Sequence, residues 1–509
     1  MILKALLVAV GSFSARDPTR IPCQARAHAP RLALLDAPTD DRRTREKALV
    51  TWLESNGVCL SPEAGWGRAA HPLRVEAETV EDFELSGRGL IARKELTQGQ
   101  EIVKVPSKLL LTRKTAQREL GSSIVPDSLN EYLALALLLI HERSLGQQSF
   151  WASYIRILPT AEEVGQTWLW NEDDLALLEG SGILASTASL RAKIEREYAA
   201  LLADILQPNG LDESVFSLEA FQWAMSMLLS RAIDLRETGE LALVPYADLL
   251  NHSPYCSAYF FYNEVPFSKE REVVLYADRS YAKNDQVLIS YGQKSNAELL
   301  LLYGFVVDRN LFDEVEVTIS LDPTDPRYDE KAAFLQQQGL TPTMAFPLLI
   351  DRYSSELLQC ARARSPPACT QPAPLNLKHR RVRAASYLIS AQTYQPPRVP
   401  RLLRYLRLCC LTPSDGPLDS FKYNERISVA NEAAAQRALS EGCERVLALY
   451  PQTEAEDAAL MENGRLFAAL SRNQRMAVKL RRNEKRILLR TIRTCDVALQ
   501  ALGSAPIAL

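Results

Sequence analysis

Residues 246–252 read YADLLNH, and residues 289–305 read ISYGQKSNAELLLLYGF. The first ends an apolar run on Asn251-His252. The second carries a strand-like run into Ser290-Tyr291-Gly292 and then a leucine-rich stretch. Neither is the nucleophile, phosphate-loop or metal-ligand pattern of hydrolases, kinases or metalloenzymes. Taken singly, each piece has a structural explanation. Asn251-His252 suits a capping turn or a satisfied core histidine, and Tyr291 and Tyr303 suit core tyrosines with bonded hydroxyls. Their combination and order decide how the chain is read.

The chain has 509 residues, 47% hydrophobic and 24% charged, with a formal net charge of -3. That is globular composition, long enough for two or three domains. Near-neutral charge argues against a nucleic-acid binder that works by neutralising phosphates. Nine cysteines run from Cys23 to Cys495 without a CxxC pair, as expected of free thiols in a reducing compartment. The five histidines, His28, His71, His141, His252 and His379, stand apart from clustered cysteines or carboxylates, so no metal site is expected.

The first ten residues, MILKALLVAV, are too short to span a bilayer. Residues 1–35 carry Lys4, Arg16, Arg20, Arg26 and Arg31 against the single acid Asp17, the pattern of a transit peptide. A secretory segment ending in SFSA, as the first half of a bipartite plastid leader, is the competing reading, and a disordered terminus the third. A leader is expected over residues 1–43. No later run has the length of a membrane helix, so a soluble mature protein is expected.

Residues 44–57 (TREKALVTWLESNG) show helical spacing and stop at Gly57. Residues 83–111 break into short apolar runs punctuated by Gly and Pro, as small strands joined by turns do. Residues 128–145 predict a buried helix, and 171–235 a mostly helical tract. Strand texture returns at 256–290 in SAYFFY, EVVLYAD and DQVLISY. Residues 327–359 and 425–500 predict amphipathic helices, interrupted by the Pro-rich loops RSPPACTQPAP and TYQPPRVP. GSGILA at 180–185 matches the dinucleotide fingerprint, but helix-like NEDDLALLE precedes it where a strand is required. A glycine helix stop after Glu179 is the reading adopted.

Two further pieces complete the set. SGRGLIA (86–92) reads as a glycine-rich turn leading into a strand; most such turns bind nothing, and the functional reading is that Gly87 and Gly89 let a ligand press against the backbone. Arg231 sits in the apolar run LLSRAIDL, where it either snorkels, pairs with an acid, or clamps a carboxylate. In this order, SGRGLIA, FQWAMSMLLSRA, VPYADLLNHS and VLISYGQKSNAELLLLYGF resemble the SET-domain protein lysine methyltransferases. The resemblance is to the branch of the plant Rubisco large-subunit methyltransferase. It covers roughly 450 residues and continues weakly into MAVKLRRNEKRILLRTI.

That resemblance implies an α+β fold. Small SET-domain β-sheets with a knot-like crossing and a helical insert (residues 44–310, insert about 115–230) would precede an all-helical substrate-binding domain (311–509). It implies S-adenosylmethionine as the methyl donor. Ser86, Gly87 and Arg88 would line it, Arg231 would engage its carboxylate, and Asn251 and His252 would hold its amino-acid and adenine ends. Tyr291 would be the catalytic tyrosine at the transfer channel, also touching the cofactor, and Tyr303 and Arg231 would meet the substrate. The sequence departs from the family at Ser86, where an acid is usual. It departs again at Asn284, where glycine is common but Asn tolerates the left-handed region, and in the Pro-rich insertion at 365–374.

Methyl transfer to an amine is an in-line displacement, dominated by alignment in a narrow channel. The acceptor lysine must be neutral, which costs about 4–5 kcal/mol at pH 7 from a pKa of about 10.4. An apolar channel lowers that cost, and no metal is required. The expectation is a monomeric plastid enzyme acting on a protein substrate, such as Rubisco large subunit or plastid aldolase, without nucleic-acid or membrane partners. A nuclear or cytosolic enzyme, a histidine acceptor, and a non-catalytic SET scaffold are the alternatives.

Overall fold

A computed structural model describes residues 42–349 and 398–503, apart from residues 62, 64–69, 82–83, 236, 266–267, 269 and 424. Its strands, in chain order, are β1 (Leu73–Glu81), β2 (Glu84–Ala92), β3 (Glu101–Pro106), β4 (Ile233–Leu235), β5 (Glu240–Ala242), β6 (Asn251–His252), β7 (Phe260–Glu264), β8 (Arg271–Tyr276), β9 (Gln286–Ile289), β10 (Glu314–Ser320) and β11 (Thr343–Leu349). Among the described residues they form the sheets β1-β2-β9-β6, β3-β8-β7, β4-β5 and β10-β11. β9 supplies three consecutive buried residues, Val287, Leu288 and Ile289, because both its faces are covered. It pairs antiparallel with β2 and parallel with β6, placing Asn251 opposite Leu288 and His252 opposite Ile289. Asn284, in the turn before β9, has φ +73°, the left-handed conformation expected of it.

Helix α1 (Arg42–Ser55) precedes the sheets. Between β3 and β4 lie α2 (Arg113–Leu120), α3 (Glu131–Ser144), α4 (Ile183–Leu201) and α5 (Leu218–Arg231), filling the expected insert. Asn130 caps α3, whose residues Ala134–Ile140 are buried without a break, the mark of a helix surrounded by protein. Ser217 caps α5. That helix ends on Arg231, where the helix dipole favours a cation. No strand precedes GSGILA: Glu172–Ala176 is a short helix, Gly180 has φ +89°, and α4 begins at Ile183. The glycine is a stop, as read.

After β9 come α6 (Asn296–Tyr303), α7 (Tyr328–Gln337), α8 (Arg398–Cys409), α9 (Val429–Leu447), α10 (Glu454–Glu462), α11 (Gly464–Ala469) and α12 (Arg472–Ala501). The C-terminal region is helical, with one correction to the expected all-helical domain. β10 and β11 form an antiparallel ribbon. The sequence EVEVTIS alternates, and Val315, Val317 and Ile319 turn inward to pack with Leu439, Ile487, Leu488 and Ile492 of α9 and α12. A helix through 327–359 is likewise corrected, since α7 ends at Gln337 and β11 follows. The leader expected over 1–43, except Arg42 and Arg43 of α1, and the Pro-rich stretch 365–374 lie outside the described residues. Among the described residues, no helix is long and apolar enough to cross a membrane.

Charges buried in the C-terminal region are paired, as their desolvation requires. Arg407 grips Glu432 bidentately at 2.7 and 3.0 Å, and Asp457 accepts from both Lys485 (2.6 Å) and Arg481 (2.9 Å). Glu484 of α12 reaches the insert, where Ser181 Oγ donates to it at 2.8 Å, and Tyr450 Oη donates at 3.0 Å. Burial pushes its pKa from 4.5 up to about 7.

A second joint is at Gly304, the left-handed cap of α6. A Cβ there would sit 1.9 Å from the Val164 carbonyl oxygen. Arg472, at the start of α12, donates to the carbonyls of Val164 (2.8 Å) and Gly304 (3.0 Å), tying insert, α6 and α12 together.

Gly304→Ala is expected to destabilise the fold by roughly 2–4 kcal/mol, from left-handed strain plus the backbone clash; a urea midpoint within error of wild type would refute the joint. For Glu484, the folded pKa lies above the unfolded value, so between about pH 4.5 and 7 the folded state binds more protons. Its contribution to stability therefore falls as pH rises through that window, by roughly 2 kcal/mol from pH 5 to 8. Denaturation curves of Glu484→Gln should be correspondingly flatter with pH than wild type; equal slopes would contradict the assignment.

Candidate active site

The expected site residues converge on a cleft of about 870 Å³ lined by Gly87, Arg88, Arg231, Asn251, His252, Tyr291 and Tyr303. Ser86 adjoins Gly87 in β2, and its side chain lies outside the described residues. The cleft is bounded by the β6–β9 crossing, the C-terminal end of α5, and the first turns of α12.

Asn251 holds the crossing. Its Nδ2 donates to Gln286 Oε1 of β9 (2.8 Å) and lies 3.2 Å from both Thr79 Oγ1 of β1 and the Arg88 carbonyl of β2. One amide thereby touches three strands beyond its own. This corrects the reading of Gly89. A Cβ there would come within 2.7 Å of Gln286 Oε1 and 2.8 Å of Asn251 Nδ2, so Gly89 makes room for the protein's own amides rather than for a ligand. Gly87, with φ +73° and open space around it, keeps the role of exposed cleft backbone.

His252 is buried and turns its ring toward the second motif. Its Nδ1 accepts the Tyr291 backbone N–H at 3.0 Å, and the two rings stack at 5.1 Å. Burial lowers its pKa to about 4, so the imidazole is neutral. With Nδ1 accepting, the proton is assigned to Nε2, which finds no partner among the described residues. Tyr291 stacks in turn on Tyr303 at 4.8 Å and 23°, and Phe305 closes the group edge-on at 6.4 Å from Tyr291. The Tyr291 hydroxyl donates to the Leu250 carbonyl at 2.8 Å, and burial pushes its pKa up to about 12. It is therefore a neutral hydroxyl with its lone pairs unused by that bond.

Arg231 pairs with an acid, as the structural alternative held. Its Nη1 donates to the Asp248 carbonyl (3.1 Å) and lies 3.4 Å from Asp248 Oδ2, which also accepts from Tyr154 Oη at 2.7 Å. The Asp248 side chain is 0% exposed and that of Arg231 21%. Burial raises the Asp248 pKa and outweighs the attraction of Arg231. Two residues upstream, Tyr246 holds φ +75°, a strained conformation for an aromatic residue, directly before the turn that carries Asp248. Arg88 donates to the Ile157 carbonyl at 2.9 Å and so is braced against the insert.

Four buried polar atoms on cleft-lining residues lack partners among the described residues: Arg231 Nε, Asp248 Oδ1 and His252 Nε2, with Arg45 Nε at the mouth. A cationic N–H, a carboxylate oxygen and an imidazole N–H suit a ligand bearing a carboxylate, an ammonium and a further acceptor. Sequence reading missed Asp248, Phe305 and Tyr154. Asp248 had a signal, as the lone acid in the apolar run 241–250 facing a lone arginine in an apolar helix. Arg42, Arg45, Arg472, Arg475 and Lys479 also line the cleft and had none, being ordinary surface charges in sequence.

The comparisons agree with this geometry. The SET domain family matches residues 87–292, and the Rubisco LSMT substrate-binding family matches residues 370–488. The chain is 29% identical over 427 residues to the chloroplastic ribulose-1,5-bisphosphate carboxylase/oxygenase large subunit N-methyltransferase of Pisum sativum, covering 81% of this chain and 74% of that protein. It is 31% identical over 334 residues to human SET domain-containing protein 4, covering 60% of this chain and 73% of that one. A crystal structure of the SET domain of LSMT bound to lysine and AdoHcy superposes with a TM-score of 0.63 at 27% identity, covering 90% of this chain and 91% of that chain. The chain belongs to the SET-domain family of protein methyltransferases, in the branch that carries the Rubisco LSMT substrate-binding domain.

Proposed function

We propose that this protein transfers methyl groups from S-adenosylmethionine to the side-chain nitrogen of a lysine in a plastid protein. The observation that carries this reading is the stacked His252–Tyr291–Tyr303 column beside the unsatisfied Arg231 Nε and Asp248 Oδ1. When bound, the cofactor supplies an electrophilic methyl group on a positively charged sulfur. Arg231 Nε would hold its carboxylate, Asp248 Oδ1 its ammonium, and His252 Nε2–H and the backbone of Gly87 and Arg88 its remaining polar edge. Asn251 fixes the crossing that sets these groups in register. Residues 44–310 are the catalytic part and 311–509 the substrate-docking part of a monomer that engages neither nucleic acid nor membrane.

Tyr291 and Tyr303 form the acceptor channel. Their rings exclude water from the amine, which favours the reactive neutral form. The acceptor loses its proton to solvent on the way in. With a pKa near 12, Tyr291 is not a base at neutral pH; its hydroxyl oxygen accepts from the amine N–H and aims the nitrogen lone pair. Rubisco large subunit and plastid aldolase are the candidate acceptors.

The reading is tested by incubating the purified chain with methyl-labelled S-adenosylmethionine and plastid extract, then locating the label by mass spectrometry. Label on lysine of a stromal protein is the expected result; label on histidine, or label only in a parallel incubation with nuclear extract, would reassign the substrate. Tyr291→Phe should slow transfer roughly a hundredfold through lost alignment while cofactor binding survives. Unchanged turnover in that variant would remove Tyr291 from the chemistry.

A further inference from the structure

Among the described residues, cationic side chains around the cleft outnumber acidic ones seven to three, although the whole chain carries a net charge of -3. Arg88 and Arg231 belong to the cofactor site. The surplus is at the mouth: Arg42 and Arg45, one turn apart on α1, and Arg472, Arg475 and Lys479, at successive turns of α12.

The acids present cancel only part of it. Asp248 is taken up by Arg231, and the Glu163 carboxylate, which accepts the Thr160 backbone N–H at 2.8 Å, keeps a charge that offsets part of that of Arg472. Asp308 lies 3.9 Å from Lys479, and Glu46 lies 3.6 Å from Arg42. Arg45 donates to the Arg156 carbonyl, Arg472 to the carbonyls of Glu163, Val164 and Gly304, and Arg475 to that of Leu470. Carbonyls fix a guanidinium in place but leave its charge uncompensated. On α12 the arrangement also opposes the helix dipole, since the first turn holds Arg472 and Arg475 and no acid. Cations held there against local electrostatics are placed to meet an anion.

We propose that the mouth of this cleft selects a protein segment whose target lysine is flanked by aspartate or glutamate, and rejects Lys- and Arg-rich tails. This rests on the protein-methyltransferase reading and narrows its substrate class. Acidic flanks would pair with Arg45, Arg472 and Arg475 while the lysine enters between Tyr291 and Tyr303. A basic tail would meet like charge on both helices.

The test is fluorescence anisotropy of the full chain, saturated with S-adenosylhomocysteine, against labelled peptides carrying one lysine flanked by Glu, Ser or Arg. The Glu peptide is expected to bind about tenfold tighter than the Ser peptide, from several exposed pairs each worth a few-fold. The Arg peptide should bind weakest, and the spread should shrink at high salt. Arg45→Gln combined with Arg475→Gln should cut the Glu-peptide advantage at least threefold while melting like wild type. Equal binding of the three peptides, or tighter binding of the Arg peptide, would overturn the proposal on wild-type protein alone. Methylation of the same peptides is followed separately. Charge preference without transfer would uphold this inference and sink the enzyme reading, and transfer without preference would do the reverse.

Discussion

The parallel pairing of β6 with β9 is the contact on which the site depends. β6 is only two residues long, so it contributes little ladder energy of its own. What holds it is the Asn251 amide, reaching β9, β1 and β2 at once, with Gly89 giving that amide its space. Register in this pairing is absolute in its consequences. A slip of one residue would exchange Asn251 and His252 between faces, taking the imidazole from Tyr291 and the amide from Gln286. The Asn-His pair and the Ser-Tyr-Gly segment are far apart in sequence because each supplies one strand of this crossing.

Around it, several polar groups are buried with one side held by the protein and another left unpaired. Asp248 is fully buried, yet Tyr154 and Arg231 satisfy one of its oxygens and leave the other without a partner among the described residues. A structure built for stability alone would satisfy both, because an unpaired buried acceptor costs about 1–3 kcal/mol. Here the unsatisfied atoms cluster with a neutral histidine and a high-pKa tyrosine, as expected where a ligand completes the bonding. Arg472 and the close approach at Gly304 then join the aromatic wall to the C-terminal helix α12.

Much of this was legible in the sequence. Strand-like runs at 83–111 and 256–290 and the helical insert emerged from periodicity and glycine placement, and Asn284 announced its left-handed turn. Gly180 was separable from a nucleotide loop because a helix, not a strand, leads into it. The residues that meet at the cleft were legible as candidates only as a set, since Arg231 and Tyr291 each have an ordinary explanation alone. The β10–β11 ribbon was missed although EVEVTIS alternates cleanly, because helical periodicity on either side dominated the reading. Gly89 was misassigned because backbone permissiveness looks the same whether a ligand or an amide fills the space. The basic mouth was illegible because Arg45 and Arg475 lie 430 positions apart and only the fold brings them to one cleft.

The central claim is that the crossing of β6 and β9 builds a binding site for S-adenosylmethionine. Calorimetric titration of the full chain with that cofactor, beside an Asn251→Ala variant shown by melting to be folded, tests it most directly. The account predicts saturable binding at a single site in the wild type and at least about tenfold weaker binding in the variant, which loses the hydrogen bonds fixing the strands. No heat of binding to the wild type at millimolar cofactor would contradict it, and would leave a SET fold that serves as a protein-interaction scaffold.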